Sequence, residues 1–293
     1  MPSLKEVKNR IKSVTSTRKI TSAMKLVASS KLHRAQQAIE NMLPYEHTLN
    51  AILTTFMAEM EGELSSPFTT KRSTQRAVIV AYSSNSSLCG AFNTNIVKAV
   101  QQTIAQFRQD GIKDIEVIPI GAKIAEKVKK MGFTFEDNHE KLLDKNNFPE
   151  AAHIAQTLMS RFVAKEIDKV VLIYHHFHST SRQVITVDDF LPLNLDRNSL
   201  PNGGEKLNTA LNYIVEPSQE ELLQSLIPKV LNLKIYTALL DSCASEHAAR
   251  VIAMQTATDN ADDLLNELTL TYNKTRQAAI TAELLDIVGG SFQ

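Results

Sequence analysis

The chain has 293 residues, and its 32 basic and 32 acidic side chains leave no formal net charge. This balance argues against a general nucleic-acid-binding protein, and no apolar run approaches the roughly 18 residues that a membrane-spanning helix requires. The N-terminal residues lack the apolar core of a secretion signal. The two cysteines, Cys89 and Cys243, are far apart, which favours free thiols in a reducing compartment.

Glycine is unevenly distributed along the chain. None occurs in residues 1–61 or in residues 205–288. Because glycine commonly marks helix ends and turns, these runs predict long helices at both ends of the chain, with a globular region between them. The ends also differ in charge. Residues 1–40 hold nine basic and two acidic side chains (9 − 2 = +7), and residues 259–293 hold two basic and six acidic ones (2 − 6 = −4). Opposite charges of this kind favour a side-by-side pairing of the two ends.

The first long helix is predicted over residues 3–60. Ser3 followed by Glu6 is a capping-box pattern at its start. Pro44 is expected to kink this helix, since the apolar pattern continues beyond it. The expected apolar stripe is interrupted at residues 15–17 and consists of Leu4, Val7, Ile11, Val14, Ile20, Met24, Ala28, Leu32, Ala35, Ile39 and Met42.

The middle of the chain alternates strand and helix patterns after a predicted loop at residues 61–75. The apolar run AVIVAY at residues 77–82 is typical of a buried parallel strand. An alternating pattern at residues 183–190 indicates an edge or antiparallel strand. The remaining predictions are strands at 115–120, 169–174 and 213–215, helices at 93–109, 122–131 and 150–166, and a flexible loop at 196–206. This order predicts an α/β fold in which a Rossmann-like sandwich lies between the helical ends.

The last helix is predicted to begin after Pro217, where Ser218 and Glu221 repeat the capping-box pattern. Pro228 is expected to interrupt or kink it early. A strict 3-4 spacing, as in a coiled-coil seam, joins Ala244, His247, Val251, Met254, Thr258, Ala261, Leu265, Leu268, Tyr272, Thr275 and Ala279. Most of these side chains are small, so the helix pair should be weak in isolation. The predicted limits are 1–61 for the N-terminal helix, 62–75 for a linker, 76–206 for the central domain, and 207–293 for a last strand and the C-terminal helix.

The segment SLCGAFN at residues 87–93 follows the first central strand. A junction of strand, glycine loop and helix is where many α/β proteins bind phosphate groups, but neither glycine-rich nucleotide motif is present. The alternative is a tight turn in which Asn93 caps the next helix. Cys89 in this loop is either a nucleophile, for which the sequence identifies no base, or a buried and inert thiol.

Two further features have more than one interpretation. His176 and His178 would share a face of the third central strand, which suggests a metal site, but no third ligand of suitable spacing is nearby. A polar strand end, including His175, is the alternative. The basic face of residues 5–34 is a solvated flank of a coiled coil, a docking face for an acidic partner, or, less in keeping with the balanced total charge, a nucleic-acid-binding surface.

The segment NKTRQAAITAELLDIVGG at residues 273–290 closely resembles the C-terminal signature of the gamma subunits of F-type ATP synthases. Further segments resemble the same family in the same order: LKEVKNRI and ITSAMKLVA near the start, LCG and FN in the centre, and SEHAAR and ATDNA in the last helix. The central loop departs from the family pattern, because residues 85–87 are not Asp-Arg-Gly and Ala91 replaces a usual second glycine. At the C-terminus, Ser291 replaces a usual alanine. The cysteine insert of the chloroplast branch is not seen, so thiol control is not expected.

The resemblance implies a rotor. Its terminal helices would form an antiparallel coiled coil inside a ring of three alpha and three beta subunits, and its head would rest on the epsilon subunit and the c-ring. Proton flow would turn the rotor and so drive the catalytic sites through different conformations, and ATP hydrolysis would turn it in reverse. The chain itself would hold no catalytic residue, metal or cofactor and bind no nucleic acid. It would reach the membrane only through the c-ring, at the cytoplasmic face of a bacterial inner membrane.

Residue-by-residue matching to the family implies two groups of contacts. Those expected against the beta subunits are Met24, Lys25, Arg250, Arg276, Gln277, Thr281 and Glu283. Those expected to form an apolar bearing at the tip are Leu4, Ile287, Val288 and Phe292. From the residues alone, an ordinary exposed helix end explains the polar tip equally well. Two rival functions remain: a Rossmann-like enzyme that dimerises through its helices, and a free scaffold or tethering protein. The missing glycine fingerprint favours the rotor.

Overall fold

The computed structural model of the chain describes residues 3–59, 66–70, 72–145, 147–193 and 218–290. These residues fall into two compact units. The terminal unit comprises Met1–Ser30 and Arg250–Gln293, and the central unit comprises Lys31–Ala249. The first and last helices contribute residues to both units. The domain limits expected from the sequence stay a prediction.

The first helix, α1 (Leu4–Glu59), is continuous, as predicted. Its first turn is held by Ser3, whose Oγ accepts a hydrogen bond of 3.2 Å from the backbone N–H of Glu6. This contact is the Ser half of the predicted capping box. Pro44 lies inside the helix. Proline removes one backbone hydrogen bond at that point, and the helix continues on both sides of it.

Within the described residues, four strands form one mixed sheet in the order β2-β1-β3-β4. β1 (Arg76–Tyr82) is paired in parallel with β2 (Asp114–Ile120) and with β3 (Lys169–Phe177). β4 (Gln183–Leu191) pairs with β3 in the antiparallel sense and lies at the edge. The predicted Rossmann-like sheet and the antiparallel edge strand are therefore confirmed. The strand expected at 213–215 and the loop expected at 196–206 lie outside the described residues.

Helices cover both faces of the sheet. α2 (Phe92–Gln109) and α3 (Ala122–Lys130) pack on one face, and α5 (Phe148–Val163) packs on the other. Side chains of β1 enter both cores in alternation, Val78 on one face and Ile79 on the other. Because β1 is buried on both faces, its sequence is apolar throughout and shows no alternation. A short helix, α4 (Glu140–Lys145), was not predicted, because six residues are too few to show a helical period.

The last helix, α6 (Gln219–Gly290), continues through Pro228, so the expected interruption does not break it. It begins directly after Ser218, whose Oγ accepts a hydrogen bond of 3.3 Å from the N–H of Glu221, as predicted. Within the central unit, α6 packs on the same face of the sheet as α5. The buried hydroxyl of Tyr82, at the end of β1, donates a hydrogen bond of 3.1 Å to the carbonyl oxygen of Ile235. This contact attaches α6 to the sheet.

Candidate functional site

The burial pattern of α6 confirms the predicted seam. Every predicted seam position from Ala244 to Ala279 is buried or half-buried. In residues 263–288 the only half-buried side chains are Leu265, Leu268, Tyr272, Thr275 and Ala279, all at 3-4 spacing. All the other side chains of that stretch are exposed. The heptad pattern therefore describes the real contact face of this helix.

In the terminal unit, the stripe of α1 differs from the prediction at one point. Ile20 is 59% exposed, and Thr21, at 8% exposed, occupies the seam instead. Burial along the helix is interrupted close to the expected place, because residues 16–20 are all exposed. The seam resumes at Thr21 and continues to Ala28, with Met24 and Lys25 half-buried beside it. A hydroxyl side chain takes the first seam position after the interruption, and an apolar pattern cannot reveal it.

Polar contacts join α1 to α6 where the seam of the terminal unit loses its apolar character. The hydroxyls of Thr21 and Thr258 lie 2.8 Å apart, and either can donate. Nearby, Nε of Arg18 lies 2.5 Å from Oδ1 of Asp262, and both side chains are nearly half exposed. Such an exposed pair contributes about 0–1 kcal/mol. The pair also fits the opposite charges of the two chain ends.

Hydroxyl side chains along both helices of the terminal unit are bonded to their own backbone. Each donates to the carbonyl oxygen four residues earlier, at distances of 2.7–3.1 Å. These residues are Thr15, Ser16, Thr17, Thr258, Thr269, Thr271, Thr275 and Thr281. The arrangement satisfies the hydroxyl protons within each helix and often accompanies a slight bend.

The residues expected to contact beta subunits differ in accessibility. Met24 and Lys25 are half-buried beside the seam. Arg250 is only 9% exposed and is the least accessible of the group. The remaining four are all exposed and lie within two turns of α6: Arg276, Gln277, Thr281 and Glu283. Arg276 and Glu283 lie on one line along the helix, and Gln277 and Thr281 lie on another about 100° round it, so these four form one broad strip that spans less than half of the helix circumference.

The C-terminal end of α6 carries exposed apolar side chains. Every residue from Thr281 to Val288 is exposed, including Ile287 at 69% and Val288 at 51%. Leu284 and Leu285 add to the same surface. Of the other residues expected at the bearing, Leu4 is half-buried and Phe292 lies outside the described residues.

Sequence reasoning missed one apolar surface on α1. Ile20, Leu26 and Val27 are 59%, 68% and 59% exposed. Ile20 and Val27 are seven residues apart and therefore share a face of the helix, away from the seam. The apolar pattern carries no signal for this surface, because it assigns Ile20 to the stripe, whereas Thr21 occupies that position of the seam.

The loop after β1 is held together by its own side chains. The amide oxygen of Asn93 accepts a hydrogen bond of 3.1 Å from the N–H of Ser84, and its Nδ2 lies 2.7 Å from the Oγ of Ser84 and 3.2 Å from the Sγ of Cys89. The helix cap is Ala91, without a side-chain bond, so the prediction that Asn93 caps α2 was wrong. Cys89 is 1% exposed, which confirms the buried thiol.

An aromatic pair fills the place where sheets of this type bind ligands, between the ends of β1 and β3. The ring of Phe92 stacks on the imidazole of His175, with centroids 4.3 Å apart. Burial lowers the pKa of His175 to about 4, so it is neutral at pH 7. Two grooves lie elsewhere: one of about 590 Å³ beside Lys98 and Val187, and one of about 830 Å³ beside Phe135 and Arg161.

The other two histidines lie in different surroundings. Nδ1 of His176 is 2.6 Å from Oδ2 of Asp241, on α6, and His178 follows the end of β3. Across the described ranges, no cluster of three or more His, Cys, Asp or Glu side chains could hold a metal ion. In the same ranges, no helix is long and apolar enough to cross a bilayer.

Comparison with known proteins identifies the family. Residues 3–292 match the family model described as ATP synthase. The chain is 56% identical to the ATP synthase gamma chain of Bacteroides fragilis over 291 residues, which cover 99% of each protein. It is 43% identical to that of Flavobacterium johnsoniae over 291 residues, which cover 99% of this chain and 98% of the relative.

Solved structures share the fold. The central stalk and c-ring structure of the Tetrahymena thermophila mitochondrial ATP synthase contains a chain with a TM-score of 0.56 and 24% identity, which covers 81% of this chain and 99% of that one. A chain of the Euglena gracilis mitochondrial enzyme gives a TM-score of 0.64 and 20% identity, covering 99% and 93%. Similarity over nearly its whole length to named relatives shows that the chain belongs to the ATP synthase gamma chain family.

Proposed function

We propose that this chain is the central-stalk rotor of an ATP synthase, in which the terminal unit turns within a ring of alpha and beta subunits. Its rotation couples proton flow across the membrane to ATP synthesis, or ATP hydrolysis to proton pumping. The observation that carries this proposal is the surface of the terminal unit. Its two helices use one narrow seam to hold each other and leave apolar and charged side chains exposed on their other faces.

The exposed surface of the terminal unit suits a partner that encloses it. Large apolar side chains are exposed on both helices: Ile20, Leu26 and Val27 on α1, and Leu284 and Ile287 on α6. Their exposure to water is unfavourable, and contact with an apolar bearing would remove it. Cations follow the same stretch of α1, where residues 1–40 have a net charge of +7. Exposed ion pairs contribute about 0–1 kcal/mol each, so contacts with acidic loops can be exchanged during rotation.

The partners proposed are the alpha, beta and epsilon subunits and the c-ring. The related Euglena gracilis structure is an assembly of OSCP, F1 and c-ring, and the Tetrahymena thermophila structure is a central stalk with a c-ring. We place the chain at the cytoplasmic face of a bacterial inner membrane, attached only through the c-ring. The related gamma chains from Bacteroides fragilis and Flavobacterium johnsoniae support the bacterial setting.

The residues proposed to contact the beta subunits are Met24, Lys25, Arg250, Arg276, Gln277, Thr281 and Glu283. The exposed strip of α6 is the part of this set that a partner reaches most directly, and the apolar end with Leu4, Ile287, Val288 and Phe292 is proposed as the bearing. Arg250 is 9% exposed, so a substitution there would disturb packing within the chain as well as a contact. For this reason Arg276 and Gln277 are the better test.

We further propose that the chain is not an enzyme by itself. In the central unit, the side chains of Ser84, Cys89 and Asn93 in the loop after β1 contact one another. The stacked rings of Phe92 and His175 occupy the adjacent crevice. A nucleotide would have to displace both features, which supports a structural role for this domain.

Reconstitution tests the proposal. The chain is mixed with alpha and beta subunits, and assembly and Mg-ATPase activity are compared with those of alpha and beta alone. We expect a complex of three alpha, three beta and one copy of this chain, with higher activity. Correctly folded subunits that neither assemble with the chain nor gain activity from it would contradict the rotor and favour the enzyme or scaffold alternatives.

A paired substitution tests the contact strip. Arg276→Ala with Gln277→Ala should lower ATPase activity or coupling in the assembled complex, while the isolated chain keeps its unfolding midpoint, because both side chains are exposed. The matched control is Arg108→Ala with Gln101→Ala, an exposed pair of the same chemistry on α2. Equal activity and coupling in the two double variants would remove the strip from the proposed contacts.

A further inference from the structure

Two neighbouring histidines at the end of β3 have opposite surroundings. His175 points into the core beside Phe92, whereas the side chain of His176 is 55% exposed and reaches α6. Its Nδ1 lies 2.6 Å from Oδ2 of Asp241, whose side chain is only 16% exposed. The contact joins a strand of the sheet to the helix that continues into the terminal unit.

The charges that face His176 are mainly negative. The hydrogen bond to Asp241 raises its pKa above the usual value, partial burial opposes this, and the charges of Asp241 and of Glu46 on α1 raise it further. On the same strand, Tyr174 stays a neutral phenol, because burial and the charges of Asp188, Asp241 and Glu46 raise its pKa.

A cation of α6, Lys234, is engaged with β4. Nζ of Lys234 lies 3.0 Å from Oδ2 of Asp188 and donates a hydrogen bond of 2.7 Å to the backbone carbonyl oxygen of Asp189. Protonated His176 places a positive charge against the carboxylate of Asp241, near the charge of Glu46. When the imidazole loses its proton, this positive charge is gone, and the remaining hydrogen bond to Asp241 is one between a neutral donor and a carboxylate.

We propose that His176 is a proton-operated latch, which ties β3 to α6 beside α1 when its imidazole is charged and weakens this contact when the proton leaves. The proposal does not rest on the rotor function and is tested on the isolated chain. A group whose pKa is raised in the folded state stabilises it fully below the unfolded pKa of about 6.5, and this stabilisation is lost as the pH rises through the folded value. The latch therefore responds on the alkaline side of pH ~6.5, the range of a cell interior.

The first test compares the pH dependence of unfolding in three full-length proteins. Wild type, His176→Gln and His178→Gln are unfolded with urea at pH about 6 and about 8.5, on either side of the ordinary histidine pKa. His178 is exposed, of the same chemistry and two residues away, so it is the matched control. His175 titrates alike in all three proteins, and the differences between them isolate His176.

We expect the wild type and His178→Gln to lose more stability than His176→Gln between the lower and the higher pH. An equal loss in all three proteins would overturn the latch.

The second test keeps the proposal falsifiable if His176→Gln folds poorly. Histidine labelled with ¹³C at Cε1 is followed by NMR through a pH titration of the wild-type chain and of Asp241→Asn. We expect the His176 midpoint to lie above the ordinary ~6.5 in the wild type and to shift towards it in Asp241→Asn. A wild-type midpoint at or below the ordinary value, or the same midpoint in both proteins, would overturn the latch.

Discussion

The central and terminal units bury their side chains to very different extents. In the central unit, Ile79, Val80 and Phe162 are completely buried, and β1 is covered on both faces. Among the described residues of the terminal unit, few side chains are buried, most of them along the seam, and they include Val7, Ala28, Met254 and Ala261. Hydrophobic stabilisation scales with apolar area removed from water. The central unit therefore holds itself together, and the terminal unit depends far more on what surrounds it.

A core truncation should produce the largest effect, because it removes a side chain that the central unit buries completely. Phe162→Ala should lower the free energy of unfolding by about 3–5 kcal/mol, from lost burial and the cavity left behind. Urea denaturation of the full chain measures this change. Val163→Ala, at the next position and 48% exposed, is the control. Similar losses in both variants would break the comparison between the units.

The buried imidazole of His175 should give the central unit an acid-sensitive stability. Its pKa of about 4 is below the unfolded value of about 6.5, so the unfolded chain takes up the proton first. Stability is then complete above pH ~6.5 and falls towards pH ~4, by at most about 1.4 kcal/mol per pH unit. Urea unfolding across this range should show a flatter profile for His175→Phe than for His178→Gln. Parallel profiles would contradict the assignment.

A truncation in the seam of the terminal unit should lower the free energy of unfolding by less than the core truncation does. Met254 is 4% exposed, but it lies in a contact between two helices, where the surroundings can collapse into a cavity more readily than in a sandwich core. Met254→Ala should therefore cost about 2 kcal/mol, at the lower end of the range for buried methionine. Ile252→Ala, two residues away and 41% exposed, should change the unfolding midpoint much less. The prediction fails if the two substitutions cost the same.

The hydroxyl contact between Thr21 and Thr258 should have the smallest effect. Either Thr→Val substitution alone leaves the other hydroxyl with one partner fewer, and the double variant removes both polar groups. A double-mutant cycle should give a coupling free energy of about 0.5–1.5 kcal/mol, the usual net value of one hydrogen bond. A coupling of zero would mean that the contact adds nothing to the pairing of the two helices.

The fold could be predicted wherever buried positions recur at a regular spacing in the sequence. The apolar strand at residues 77–82, the alternation at 183–190 and the seam of α6 were all visible in this way, and the structure confirms them. These predictions succeeded because the side chains that define each pattern are turned towards the interior, where apolar residues are favoured.

The failures also have a common cause. Thr21 lies in the seam through a hydroxyl contact, and Asn93 binds Ser84 and Cys89 where a helix cap was expected. Polar contacts of this kind join residues distant in sequence or specific to one turn, and no periodic pattern records them. The proposed contacts of Arg276 and Gln277 are harder still to predict from physics, because the surface that would select them belongs to another molecule.

The self-bonded hydroxyls of the terminal unit have a mechanical consequence. A threonine such as Thr269 or Thr281, whose proton is committed to its own helix, offers a passing surface a methyl group and an acceptor but no free donor. A neighbour that moves past these positions has few hydrogen bonds to break and remake. The friction between the two surfaces is then low, because the hydroxyl protons are already bonded within the helix.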